Sequence, residues 1–327
     1  MNLFRQDIDV DGSCLSLLNP RSVIDLSASN AELAGILAGF MTIALTTLLA
    51  LKRDGSALFR FGVQHATVLL AVGIIILGID AYLFGFVAAT RPIEIDGSWP
   101  AAHSVCPAAW VDFMPASALL LLGAVVLVVG LSWIVVCNAE PKDLHWLATF
   151  SNYAIALITV GSLAFLTYGA TIFIDEMHVL SLVSAKWRFP TLVVIHVYFL
   201  ANFIYYAYEV VATNLSLNRK RNMNQPELTS SDLGSTEIKY DPDNCIRGKV
   251  LRATIGATIY MATAVIFTLL TPMKPDGGSA VAWDYIGYGG GIVLGVIGPG
   301  IVFYLVVRAS PGLNEVHGLS PHIAQLP

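Results

Sequence analysis

Seven stretches of this chain are apolar for longer than a soluble helix requires. They cover residues 31–51, 63–89, 110–137, 147–174, 190–212, 250–271 and 283–308. A hydrocarbon core about 30 Å thick is crossed by roughly 20 helical residues. Lipid offers no partner to a bare peptide group, so such segments fold as helices that satisfy every N–H and C=O internally. The expected fold is therefore all-α: an integral membrane bundle of seven transmembrane helices. Several runs exceed that length, which implies tilt or ends projecting beyond the hydrocarbon. Only 13% of the residues are charged, against about 25% in a soluble domain. The lipid bilayer is the expected surrounding, and a net charge of −5 argues against a nucleic-acid partner.

The positions of the charges predict orientation. Twelve of the 18 Lys and Arg residues lie on one side: Lys52, Arg53, Arg60, Lys142, Arg219, Lys220, Arg221, Lys239, Arg247, Lys249, Arg252 and Arg308. The other six, among them Arg5, Arg91 and Lys274, lie on the opposite side. The positive-inside rule places the richer side in the cytoplasm, with the N-terminus outside and the C-terminus inside. The expected location is the plasma (cytoplasmic) membrane. The first 30 residues are polar, with no basic segment leading into an early apolar core, so no removable signal is expected.

The chain divides into an outer tail (1–30), spans one to five (31–212), a cytoplasmic loop (213–249), spans six and seven (250–308) and a cytoplasmic tail (309–327), all forming one membrane domain. Ser29-Asn30-Ala31-Glu32 has the form of a capping box and predicts the start of the first helix. Gly35 and Gly39 have the spacing that lets two spans approach closely. Trp110 and Trp146 are expected at the headgroup level, as are Tyr206 and Tyr208. Pro115 is expected in the first two turns of the third span, where a missing N–H costs little. The loop 213–249 is rich in Ser, Thr and acids and is expected to be disordered. It contains Thr229, Ser230 and Ser231 as modification candidates and is the expected docking place for a protein partner; a homo-oligomer is left open.

Asp80 sets the chemical problem. It lies well inside the second apolar run. An ionised Asp at a helix centre costs about 2.5–3.5 kcal/mol, so a partner, a proton, water or a cation must offset it. On span five, Tyr198, Asn202, Tyr205 and Glu209 fall close to one line at 100° per residue and form a polar seam. Such a seam is expected to face the bundle interior. At 1.5 Å per residue, Asp80 matches the depth of His196 and Tyr198. This set of six, Asp80, His196, Tyr198, Asn202, Tyr205 and Glu209, forms the candidate ion or substrate path. Span six is plain, with Gly256 and Tyr260.

Span seven carries Gly287, Gly291 and Gly295 at four-residue intervals, then Gly298-Pro299-Gly300. The repeat predicts close packing, and Pro299 predicts a loosened helix that serves as a kink or a hinge. Cys14 and Cys106 fall on the same outer side and are candidates for a disulfide. Asp175, Glu176 and His178 cluster beyond span four as metal candidates, without a second paired-ligand motif.

No hydrolase, metalloprotease, phosphate-binding or dinucleotide fingerprint is present. No catalytic role is expected. No cofactor is expected either, since only His65 and His196 lie within spans and their depths differ. The familiar seven-span patterns do not fit: span seven has no lysine for retinal, and the segment 175–189 has no cysteine to pair with Cys106. The expected function is a proton- or cation-coupled small-solute permease using a buried Asp. The alternative is a non-transporting accessory, sensor or interaction protein that docks a partner through its cytoplasmic loop.

Overall fold

The computed structural model describes residue 14 and residues 22–51, 57–90, 102–137, 144–179, 184–223, 242–270 and 280–311. Among the described residues all regular structure is helical. The elements are α1 (Val23–Leu51), α2 (Ala57–Ala89), α3 (Ala102–Cys137), α4 (Leu144–Val179), α5 (Ala185–Met223), α6 (Pro242–Leu270), α7 (Ala280–Ile292), a π-helical turn (Val293–Ile297) and α8 (Gly298–Arg308). The last three form one crossing, so seven helices are long and apolar enough to span a membrane. The chain is a multi-pass membrane protein. Thr229, Ser230 and Ser231 lie outside the described residues.

The helices outrun the apolar stretches read from the sequence. α1 begins at Val23 rather than at residue 31. Its cap is Ser22, whose Oγ accepts the Asp25 N–H at 3.1 Å, so Ser29 and Glu32 are mid-helix and form no capping box. α3 begins at Ala102, which puts Pro115 deep inside the helix instead of in its opening turns. α5 continues to Met223 and α6 starts at Pro242, so the loop expected over 213–249 is helical at both ends.

α3 is the hub. It packs against α1, α2, α4, α6 and all three parts of the seventh crossing. Its segment 117–131, SALLLLGAVVLVVGL, is apolar on every side, and a helix without a polar face belongs in the interior of a bundle. Glycines act as sockets around it. Leu77 of α2 inserts at Gly123 and Leu70 at Gly130, while Met41 of α1 inserts at Gly73, where an added Cβ would lie 2.6 Å from its sulfur. Interlocking of this kind replaces the hydrophobic drive that lipid cannot supply. Gly35 and Gly39, by contrast, have nothing within 4 Å of an added Cβ; they sit on the exposed face of α1 and bring no helix close among the described residues.

α5 is peripheral and packs mainly along α4. The aromatic residues divide by direction rather than by depth. Trp146 is exposed and stacks on Phe150, whereas Trp110 is buried, edge-on to Phe113 with centroids 5.8 Å apart. Tyr208 is exposed, but Tyr206 is turned inward and buried. Trp110 and Tyr206 are thus core residues, not the interfacial anchors their positions suggested. Cys14 and Cys106 form a disulfide with Cα atoms 5.4 Å apart, tying the segment before α1 to the first turns of α3. That bond marks one end of the bundle, called here the disulfide end.

Candidate functional site

The seventh crossing departs from α geometry just before its sequence reads Gly298-Pro299-Gly300. Residues Val293–Ile297 form a π turn, in which the Gly298 N–H donates back to the Val293 carbonyl. In that register the Leu294 carbonyl would look to position 299 for its donor. Proline has no N–H to give, and a buried carbonyl left without a donor costs about 1–3 kcal/mol. The Tyr260 hydroxyl, reaching in from α6, donates to the Leu294 carbonyl in its place. The Tyr198 hydroxyl, from α5, donates to the Ile297 carbonyl at 2.8 Å.

The two flanking glycines admit these tyrosines. A Cβ on Gly298 would come within 3.0 Å of the Tyr260 ring, and one on Gly300 would collide with the Tyr198 hydroxyl. The upstream repeat works in the same way. Gly287 receives Val111, Gly291 receives Phe173 and Gly295 receives Met114, so α3 and α4 both lock onto this crossing through side chains. Proline opens the helix, a tyrosine fills the opening, and glycine gives the tyrosine room.

Asp80 is carried by α2. It is fully buried, and neither carboxylate oxygen has a hydrogen-bond partner among the described residues. α2 packs against α1, α3 and α6, and the Tyr260 phenol of α6 lies within electrostatic range of the Asp80 carboxyl. The partner suggested by depth does not form. Tyr198 turns its hydroxyl to Ile297, and His196 lies on the exposed face of α5 with Nδ1 2.8 Å from the Leu192 carbonyl of its own helix. Depth fixes one coordinate, but which helices touch is decided by packing: α5 packs mainly along α4, and α2 against α1, α3 and α6.

The rest of the α5 seam faces α8. Asn202 Nδ2 donates to the Tyr198 carbonyl at 2.8 Å. The Tyr205 ring packs 5.3 Å from Tyr304, and Glu209 and Arg308 lie within electrostatic range of the Tyr205 phenol. The Arg308 guanidinium lies 4.9 Å from the centre of the Tyr304 ring. Farther along the same end, His65 stacks on Trp133, and Trp133 Nε1 donates to the Ala309 carbonyl at 2.9 Å. The C-terminal half of the seventh crossing is therefore held at its tip.

At the disulfide end, Asp175 pairs with Arg188 at 2.8 Å, while Glu176 is buried against the core with a partner of its own. Among the described residues no three His, Cys, Asp or Glu side chains converge on a point. An apolar groove of about 440 Å³ runs between α1, α3 and α4, lined by Leu33, Trp110, Met114, Phe165 and Ile172 among others. Its walls suit hydrocarbon rather than a polar solute.

Tyr260 is the site residue that the amino-acid pattern does not announce. It stands alone in a plain span, yet a signal existed: Pro299 orphans one carbonyl, and a hydroxyl at matching depth on another helix is the group able to satisfy it. No known protein family, characterised protein or solved structure matches the chain.

Proposed function

We propose that this membrane protein is a proton- or cation-coupled permease for small solutes, with Asp80 as the ion-binding group and the seventh crossing as the moving element. The observation that carries the reading is the isolation of the Asp80 carboxyl: completely buried, both oxygens without a hydrogen-bond partner among the described residues, and within electrostatic range of the tyrosine that bonds the π turn of the seventh crossing. A structural Asp in lipid normally finds a donor, since burying an unpaired polar group is costly. Intramembrane acids that lack one are commonly ion sites. π turns occur frequently at functional positions within helices.

The test uses the full chain reconstituted in liposomes loaded with a pH-sensitive dye. An imposed pH gradient should discharge faster than through empty liposomes, and Asp80→Asn should remove that difference while leaving the reconstituted amount and helicity unchanged. Equal flux through the wild type and Asp80→Asn, under both proton and sodium gradients, would sink the reading.

A further inference from the structure

Resting on Asp80 as the ion site, we infer that its ion is a proton and that the Tyr260 hydroxyl reports the proton's presence to the seventh crossing by switching between two acceptors, the Leu294 carbonyl and the Asp80 carboxylate.

The surroundings of Asp80 favour a proton over a metal cation. A bound metal ion replaces its hydration shell with several oxygen ligands. Asp80 brings one carboxyl group, with no hydrogen-bond partner among the described residues; α2 packs against α6, whose Tyr260 phenol lies within electrostatic range of it. Of the other acids described on α1 and α3, Asp25 and Glu32 of α1 are exposed and Asp112 of α3 is engaged in an interaction of its own side chain. A proton needs no shell. It neutralises the carboxyl by forming one O–H bond, which permits the complete burial observed.

Tyr260 has one hydroxyl hydrogen and can satisfy one strong acceptor at a time. With Asp80 neutral, the Leu294 carbonyl holds that hydrogen, as observed. When Asp80 releases its proton to water, the carboxylate becomes the better acceptor, because hydrogen bonds to a charged oxygen are about twice as strong as neutral ones. The phenol keeps its own proton and turns toward Asp80. The Leu294 carbonyl then loses its donor, and Pro299 cannot supply another. The π turn must rearrange to find one, and α8 moves with it. The reverse follows on reprotonation. Bistability comes from a carbonyl with no backbone donor and a hydroxyl with two claimants.

The experiment measures the seventh crossing directly. Spin labels are placed at the exposed positions Ile286 and Ile301, on either side of the π turn, through Ile286→Cys and Ile301→Cys. Cys137 and Cys245 are replaced by Ser, and the Cys14–Cys106 disulfide is kept. The label-to-label distance should differ between acid and alkaline pH, and replacing sodium with choline should not alter that change. Asp80→Asn should hold the acid distance at every pH. Tyr260→Phe should abolish the pH response while the infrared band of the Asp80 carboxylic acid still comes and goes with pH. If Tyr260→Phe does not fold, Pro299→Ala tests the same link, because it restores a backbone N–H and should also freeze the distance. A wild-type-like response in Tyr260→Phe or Pro299→Ala overturns the switch and leaves the permease reading intact. A sodium-dependent response overturns the proton. Loss of the permease reading itself would appear separately, as unchanged flux in Asp80→Asn.

Discussion

The Tyr260 hydroxyl donates to the Leu294 carbonyl across 34 positions of sequence, and Pro299 is the reason that carbonyl is available. The two facts make a thermodynamic cycle. Tyr260→Phe alone should destabilise the protein by about 1–3 kcal/mol, the cost of an unsatisfied buried acceptor. Pro299→Ala supplies a backbone donor, so adding it to Tyr260→Phe should recover most of that loss. Thermal unfolding of the four variants in detergent measures the coupling. Additive effects would mean the hydroxyl and the proline are unrelated.

Glycine sockets make a second prediction that separates neighbours in sequence. Gly300→Ala drives a methyl group into the Tyr198 hydroxyl and should cost about 1–3 kcal/mol by overpacking. Tyr198→Phe removes the atom that is struck, so the double variant should be less damaged than the sum of the single ones. Gly35→Ala and Gly39→Ala meet nothing within 4 Å. They should be neutral or stabilising by up to about 1 kcal/mol, since Ala favours a helix over Gly. A large loss at Gly35 or Gly39 would instead reveal a second chain packed on that face.

The permease reading also makes a claim about stability at Asp80. A buried group retained for ion binding is a burden on the fold, and replacing it with an apolar residue of similar volume is often neutral or stabilising. Asp80→Leu should therefore raise the unfolding temperature, by the equivalent of about 1–2 kcal/mol, while abolishing ion flux. If Asp80→Leu lowers stability by several kcal/mol, Asp80 is a structural residue.

What was legible in the amino-acid order follows from what lipid forbids. Seven spans are readable because a helix without polar side chains has few alternatives in or near a membrane. Asp80 is readable because an acid inside such a run is costly wherever the helix turns. The partner of Asp80 was not readable. Depth aligns it with Tyr198 and His196 on α5, yet α2 is drawn against α1 and α3 by sockets at Gly73, Gly123 and Gly130, and packs also against α6, where the Tyr260 phenol lies within electrostatic range of Asp80. Glycine spacing shows that something packs there, but not what: Gly287, Gly291 and Gly295 receive side chains from α3 and α4, while Gly35 and Gly39 receive none. Helix ends were misread for a related reason. Residues 23–30 and 213–223 lie beyond the apolar runs yet are helical, so the runs stop before the helix does.

The disulfide gives the orientation a chemical test. Cys14 and Cys106 meet at one end of the bundle, and a disulfide persists in an oxidising compartment, not in a reducing cytoplasm. That end should therefore face outward, in agreement with the excess of Lys and Arg on the opposite side. In intact cells, an impermeant maleimide should label nothing until an impermeant reductant is added, and then label Cys14 and Cys106. Cys245 should react only after the membrane is made permeable. Cys106→Ser should also lower stability, by about 2–4 kcal/mol, because the bond closes a loop with a sequence separation of 92. Labelling of Cys245 in intact cells would invert the topology, and with it the side from which Asp80 takes its proton.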